Sequence, residues 1–137
     1  MRISQRGLYA LQALTVLAEH PEGVVKIKDI AAADNLPEKF LEAILLELKR
    51  ARIVSSLRGA KGGYQLKRSP KEISLGEVIR RIDGPLAPFE DAESLRQRIH
   101  DDPKHRRLFR VLLDVRNATA GILDRTSLSD LCCRSRN

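Results

Sequence analysis

Apolar positions recur along the chain in two rhythms, and the changes of rhythm divide it into elements. Leu8, Leu11, Leu14 (with Thr15 beside it) and Ala18 follow Ser4 at helical spacing until Pro21 and Gly23 interrupt the run, which predicts a first amphipathic helix capped by Ser4. Two further helices follow, divided at Asn35-Leu36, with Pro37 placed as the first residue of the second, where a missing N–H costs little. Their expected buried stripes are Ile27, Ile30 and Ala31, then Phe40, Leu41, Ile44, Leu45 and Leu48. Glu38, Lys39, Glu42, Ala43, Lys49 and Arg50 are left to solvent.

The rhythm then changes to runs of strand-forming residues, "IVSSL" and "YQLK", around the glycine-rich tip "RGAKGG". This predicts a hairpin whose glycines accept positive φ. "SLGEVIRRIDG" places Ser74 three residues before Glu77, a capping-box pattern, and Gly84-Pro85 stops that helix. The prolines and acids of "PLAPFEDAES" mark a linker. A longer helix is expected from near Pro103 to about Asp124, with Leu108, Leu112, Val115, Ala118 or Thr119, and Ile122 on one stripe. The predicted fold is mostly α with a small β-hairpin: a winged helix-turn-helix over residues 1–84, a linker and candidate effector-sensing segment over 85–102, and a dimerisation helix with its tail over 103–137.

Charge sharpens this picture. The 137 residues carry a net charge of +7. Lys and Arg outnumber Asp and Glu by 12 to 7 up to Arg68 and by 13 to 11 beyond it, so the first half holds most of the positive field and suits a polyanionic partner. No run approaches the roughly 20 apolar residues of a membrane helix, and the start lacks a secretory layout. With only two cysteines, adjacent at Cys132 and Cys133, the expectation is a cytoplasmic protein without a disulfide framework.

A helix-turn-helix followed by a hairpin sets its second helix into a DNA major groove. Glu38, Lys39 and Glu42 are then the candidate readers of base edges, with Glu42 suited to a cytosine amino group and Lys39 to guanine or phosphate. Arg58 and Lys61, beside Gly59, suit a narrow minor groove or the phosphates. The stripe Leu108, Leu112, Val115, Thr119 and Ile122 has no evident cover within the chain, so a homodimer is expected. No catalytic set emerges: "RGAKGGY" follows a strand without opening a helix, no nucleophile stands beside a base, and His100 and His105 lack the same-face spacing of a metal pair. Neither an enzyme nor a metal or cofactor site is expected.

"MRISQRGLYALQAL", "FLEAILLELKRARIVSSLRGAKGGYQL" and "ISLGEVIRRIDGP" resemble the Rrf-two family of small bacterial regulators, densely over residues 1 to 88 and again at "LDRTSLSDL". The resemblance implies a winged-helix domain, a long C-terminal helix paired across a two-fold axis, and binding to an imperfectly palindromic operator, most often as a repressor. It also implies that Lys39, Glu42, Ala43 and Arg58 lie against DNA. Many members carry glutamine at the position of Ala43, so the preferred operator is expected to differ. Members that sense iron, clusters or nitric oxide carry cysteine ligands after the fourth helix, where "GPLAPFEDAESLRQRIHDDPKHRR" has none; soft thiolates hold such clusters, so a cluster-free member is expected. Two alternatives stand beside this reading. One is an interaction module governed by a partner protein, as in cluster-free relatives of the CymR type; the other is a thiol sensor through Cys132 and Cys133.

Overall fold

The computed structural model describes residues 2–86 and 90–132. Helix α1 (Gln5–Ala18) begins where the Ser4 hydroxyl accepts the Gly7 N–H at 2.9 Å, as expected of its cap. Its buried face is Gly7, Ala10, Ala13, Leu14, Leu17 and Ala18, a stripe rotated from the one read in the sequence, so that Leu8 points outward at 44% exposure. The small residues on this face let α1 lie close to its neighbours.

Helices α2 (Ile27–Asp34) and α3 (Glu38–Arg50) are joined through Asn35, which takes the left-handed conformation (φ 53°, ψ 46°). Leu36 donates its N–H to the Ala31 carbonyl at 2.8 Å and buries its side chain. Pro37 is the N-cap of α3, one residue before the expected place. Leu41, Ile44, Leu45 and Leu48 are completely buried, whereas Phe40, expected among them, is 57% exposed. Phe40 sits about a quarter-turn from the centre of that stripe, at the edge where an apolar side chain on a 3.6-residue helix can go either way.

Arg52, also left-handed at φ 61°, turns the chain into strand β1 (Val54–Leu57), which pairs antiparallel with β2 (Gly63–Leu66) from Val54 opposite Leu66 to Leu57 opposite Gly63. Two further hydrogen bonds, Val25 N–H to Tyr64 O at 2.8 Å and Tyr64 N–H to Val25 O at 2.9 Å, add a third segment at the base of this wing. Gly62 admits no other residue, because a Cβ there would lie 2.1 Å from the Leu57 carbonyl oxygen.

Helix α4 (Leu75–Asp83) starts at Ser74, whose hydroxyl accepts the Glu77 N–H at 3.0 Å. The reciprocal half of the expected capping box is missing because the Glu77 carboxylate pairs with Arg68 instead. The expected linker contains a helix, α5 (Ala92–Asp101), capped by Asp91 accepting from Ser94 N–H at 2.8 Å. Prolines and acids do precede it, but Asp91 followed by Ala92, Leu95 and Ile99 is a capped helical pattern, and Leu95 is fully buried. Arg98 pairs with Glu90 at 2.7 Å and lies 5.3 Å from the Phe109 ring centre.

After a 3₁₀ turn (Pro103–His105), the long helix α6 (Arg106–Arg125) packs against α5 and α4. Its tail does not stay with it. A short helix, α7 (Leu128–Leu131), opened by a Ser127–Asp130 capping box, folds back so that Leu128 and Cys132 join the core formed by α1, α2 and α3. Leu75 N–H to Thr126 O at 2.9 Å and Leu128 N–H to Ile73 O at 3.0 Å secure the return. Between α4 and α6, Arg80 grips Asp124 with two hydrogen bonds of 2.6 and 2.8 Å. Gly76 leaves the room, since a Cβ there would stand 2.0 Å from Asp124 Oδ1.

Truncating Leu128 to Ala empties a fully buried site and is expected to lower unfolding free energy by about 3 kcal/mol, read as a reduced urea midpoint. The Arg80 hydrogen bonds, chiefly, hold the Asp124 carboxyl below its ordinary range. Its contribution is therefore complete above the ordinary carboxylate pKa of about 4 and fades as pH falls through the lowered value. Both side chains are about two-fifths exposed, which limits the contribution to roughly 1 kcal/mol or less. Urea midpoints of wild type and Asp124→Asn should differ at neutral pH and draw together as pH falls through the lowered Asp124 value.

Candidate nucleic-acid interface

The burial of Leu41, Ile44, Leu45 and Leu48 decides what α3 presents to solvent. With 3.6 residues per turn, Lys39, Ala43, Leu46 and Arg50 fall on the side opposite that stripe. Glu38, Glu42 and Lys49 lie on the flank toward the wing, and Phe40 and Glu47 on the flank toward α4, where Glu47 meets Arg81 at 3.1 Å. All four expected α3 residues, Glu38, Lys39, Glu42 and Ala43, are exposed. Glu38 in the first turn and Lys49 and Arg50 in the last complement the helix dipole.

The wing tip carries Arg58, Gly59 and Lys61, all exposed. Gly59 has φ +105°, and Gly62 N–H donates to its carbonyl at 2.9 Å to close the turn. Between the wing, the start of α2 and the end of α3 runs a groove of about 570 Å³, lined among others by Lys26, Lys28, Lys49 and Arg58. A second groove of about 630 Å³ shares Lys26 and Lys28 with the first and adds Lys61, together with Asp29. None of these five cations has a carboxylate partner among the described residues, whereas Arg68, Arg80, Arg81, Arg96 and Arg98 all do. Lys26 is the N-cap of α2 and makes no side-chain cap bond, so the free N–H groups of the first turn add partial positive charge at the groove.

Sequence reasoning missed Lys26, Lys28 and Lys49 as members of this surface. Lys26 and Lys28 are distant in the chain from both the wing and α3, and only the Val25–Tyr64 pairing brings them together. Tyr64, partly buried, packs on the core at the wing base. His20 Nδ1 donates to the Val16 carbonyl at 2.9 Å near the end of α1.

The expected dimer stripe lies on α6, where Leu108 (52%), Val115 (44%) and Ile122 (60%) are exposed and Leu112 and Thr119 are half-buried. Val111, at 57% exposure, belongs to the same face. Cys132 is buried in the core, and Cys133, named with it in the thiol-sensor alternative, lies outside the described residues.

A helix-turn-helix with an adjoining wing and unpaired cations around the groove between them defines a winged-helix DNA-binding protein. The chain belongs to the Rrf2 family, whose model, described as an iron-dependent transcriptional regulator, matches residues 3–134. It is 39% identical over 132 residues to the HTH-type transcriptional regulator CymR of Bacillus subtilis, covering 96% of this chain and 89% of that one. A putative rrf2-like regulator of Rhodobacter capsulatus is 45% identical over 92 residues, 64% of this chain and 61% of its own length. Among solved structures, that of B. subtilis CymR (YrzC), the global cysteine regulator, superposes with a TM-score of 0.81 at 36% identity over 98% of both chains. The IscR of T. potens superposes with a TM-score of 0.73 at 32% identity, over 96% of this chain and 85% of the other. The protein is thus a DNA-binding transcriptional regulator of this family.

The family description implies iron, and the donors among the described residues do not gather to hold it. Its two cysteines are Cys132, buried beneath the return of α7, and Cys133. Among the described residues no three His, Cys, Asp or Glu side chains gather to share a metal ion. His105 is engaged with Asp102 at 3.1 Å.

Replacing Lys26, Lys28 and Lys49 together with Ala is expected to flatten the dependence of log affinity on log salt by roughly 0.9 for each lysine that meets a phosphate. Titrations of a promoter fragment at several salt concentrations measure this, with unfolding midpoints expected to stay unchanged because all three side chains are exposed.

Proposed function

We propose that the chain acts as a homodimer that binds an imperfectly palindromic promoter site and represses transcription from it, in the bacterial cytoplasm and without an iron–sulfur cluster. The exposed apolar face of α6 carries this reading. That helix has three faces: Phe109 and Ala120 are buried within the chain, Arg107, Arg110, Asp114 and Asn117 are polar, and Leu108, Val111, Val115 and Ile122 are apolar yet uncovered. From Leu108 to Ile122 the seam runs about 21 Å. A self-complementary face of this kind is satisfied by a second copy related by a two-fold axis, which places two recognition helices on one duplex. Lys39, Glu42 and Ala43 then face base edges, and Arg58, Gly59 and Lys61 follow the backbone.

The cluster-free reading is supported by the donor set already described. A thiol switch through Cys132 is disfavoured, because its side chain is only 7% exposed and sits in the main core.

The test is sedimentation and DNA binding of the wild type and of Val115→Glu/Ile122→Glu. Wild type is expected to sediment as a dimer and to shift a promoter duplex in a salt-sensitive manner. The variant should sediment as a monomer and bind about 100-fold more weakly, since linked half-site contacts lose their effective concentration. A monomeric wild type, or a monomeric variant with undiminished affinity for the same duplex, overturns the proposal.

A further inference from the structure

The exposed surface of α3, from its outward side round to the flank toward α4, is more apolar than phosphate contacts require. Phe40, Ala43 and Leu46 follow one another at three-residue spacing, all exposed, Phe40 at 57% and Leu46 at 47%. On an α-helix such a row forms a diagonal ridge. It is about 9 Å long from first to last residue, enough to pass two or three base pairs. Lys39 and Arg50 flank it on the same side and have no carboxylate partner among the described residues. The flanking charge favours a polyanion over an apolar protein surface.

A base pair displays one apolar group at its major-groove edge, the C5-methyl of thymine, and alanine and phenylalanine are among the side chains that pack on it. We propose that the Phe40–Ala43–Leu46 ridge reads thymine methyl groups, so that each preferred half-site carries thymines beneath α3. Glu42, on the adjoining flank, accepts from an amino group of a neighbouring cytosine or adenine. This deepens the DNA-binding reading of α3 and rests on it. Removing a methyl from such a contact exposes apolar surface worth one carbon, about a fourfold loss of affinity per half-site and about fifteenfold for both.

The experiment uses the full chain and duplexes selected by it from a random pool. In the best duplex each thymine is replaced by deoxyuridine, symmetrically in both half-sites. At one or two positions per half-site the replacement is expected to weaken wild-type binding about fifteenfold. Leu46→Ala or Phe40→Ala should weaken binding to the thymine duplex and erase the thymine–uracil difference at one of those positions. Both side chains are exposed, so the variants keep the wild-type unfolding midpoint. Binding unchanged within about twofold by uracil at every position, or uracil losses that persist undiminished in both variants, overturns the ridge assignment while salt-sensitive binding leaves the DNA reading standing. A change in dimerisation on Leu46→Ala with the uracil effect intact also overturns it, by assigning the ridge to protein contact. Failure to enrich any duplex even at low salt sinks the DNA reading and the ridge with it.

Discussion

What α3 offers to DNA depends on four side chains that never meet solvent. Leu41, Ile44, Leu45 and Leu48 are fully buried along one face of α3 and lock its rotation about its own axis. A helix held on one stripe has no freedom to choose which residues face outward. Lys39, Ala43, Leu46 and Arg50 therefore point away from the core by geometric necessity, and the wing groove lies beside them because Arg52 turns the chain straight from α3 into β1.

The same economy of space governs how the helices meet. Gly7 and Gly76 each stand where a neighbouring carboxylate needs room. A Cβ at Gly7 would lie 2.7 Å from Asp83 Oδ2, and one at Gly76 would lie 2.0 Å from Asp124 Oδ1. Asp83 accepts the Ser4 N–H at 2.9 Å and also its hydroxyl, tying the end of α4 to the start of α1. Asp124, lying over Gly76, takes two hydrogen bonds from Arg80 in the last turn of α4 and so ties α4 to α6. Helix α4 is thus fastened both to the DNA-binding core and to the helix that carries the uncovered seam. These pairs are mostly exposed and individually weak, so their role is to set register; the apolar contacts of Ile79, Leu86 and Ala120 supply the cohesion.

Much of this was legible in the sequence because the signals were local. Capping by Ser4, the helix-turn-helix division at Asn35, the glycine-rich wing tip and the long period of α6 each follow from residues within one or two turns of one another. The exposed positions of Glu38, Lys39, Glu42, Ala43, Arg58 and Lys61 followed from the same patterns. What escaped was set by tertiary context. Phe40 and Leu8 carry large apolar side chains, yet their places lie beyond the edges of stripes set by small residues and by the neighbouring helices. Helix α5 was hidden because the prolines and acids before Asp91 read as a linker. Lys26 and Lys28 belong to the interface only through the pairing of Val25 with Tyr64, which no periodicity announces.

The return of α7 bears on how the protein comes into being on the ribosome. Leu128 is wholly enclosed in the core built around α1, α2 and α3, and residues up to Cys132 complete it. Until the segment beyond α6 has been synthesised that core lacks Leu128 and Cys132, so a nascent winged helix carries an unfilled hollow at their place. Polypeptides stalled within α6 would expose the apolar lining of that hollow, a cost that ends only when the chain beyond the long helix folds back.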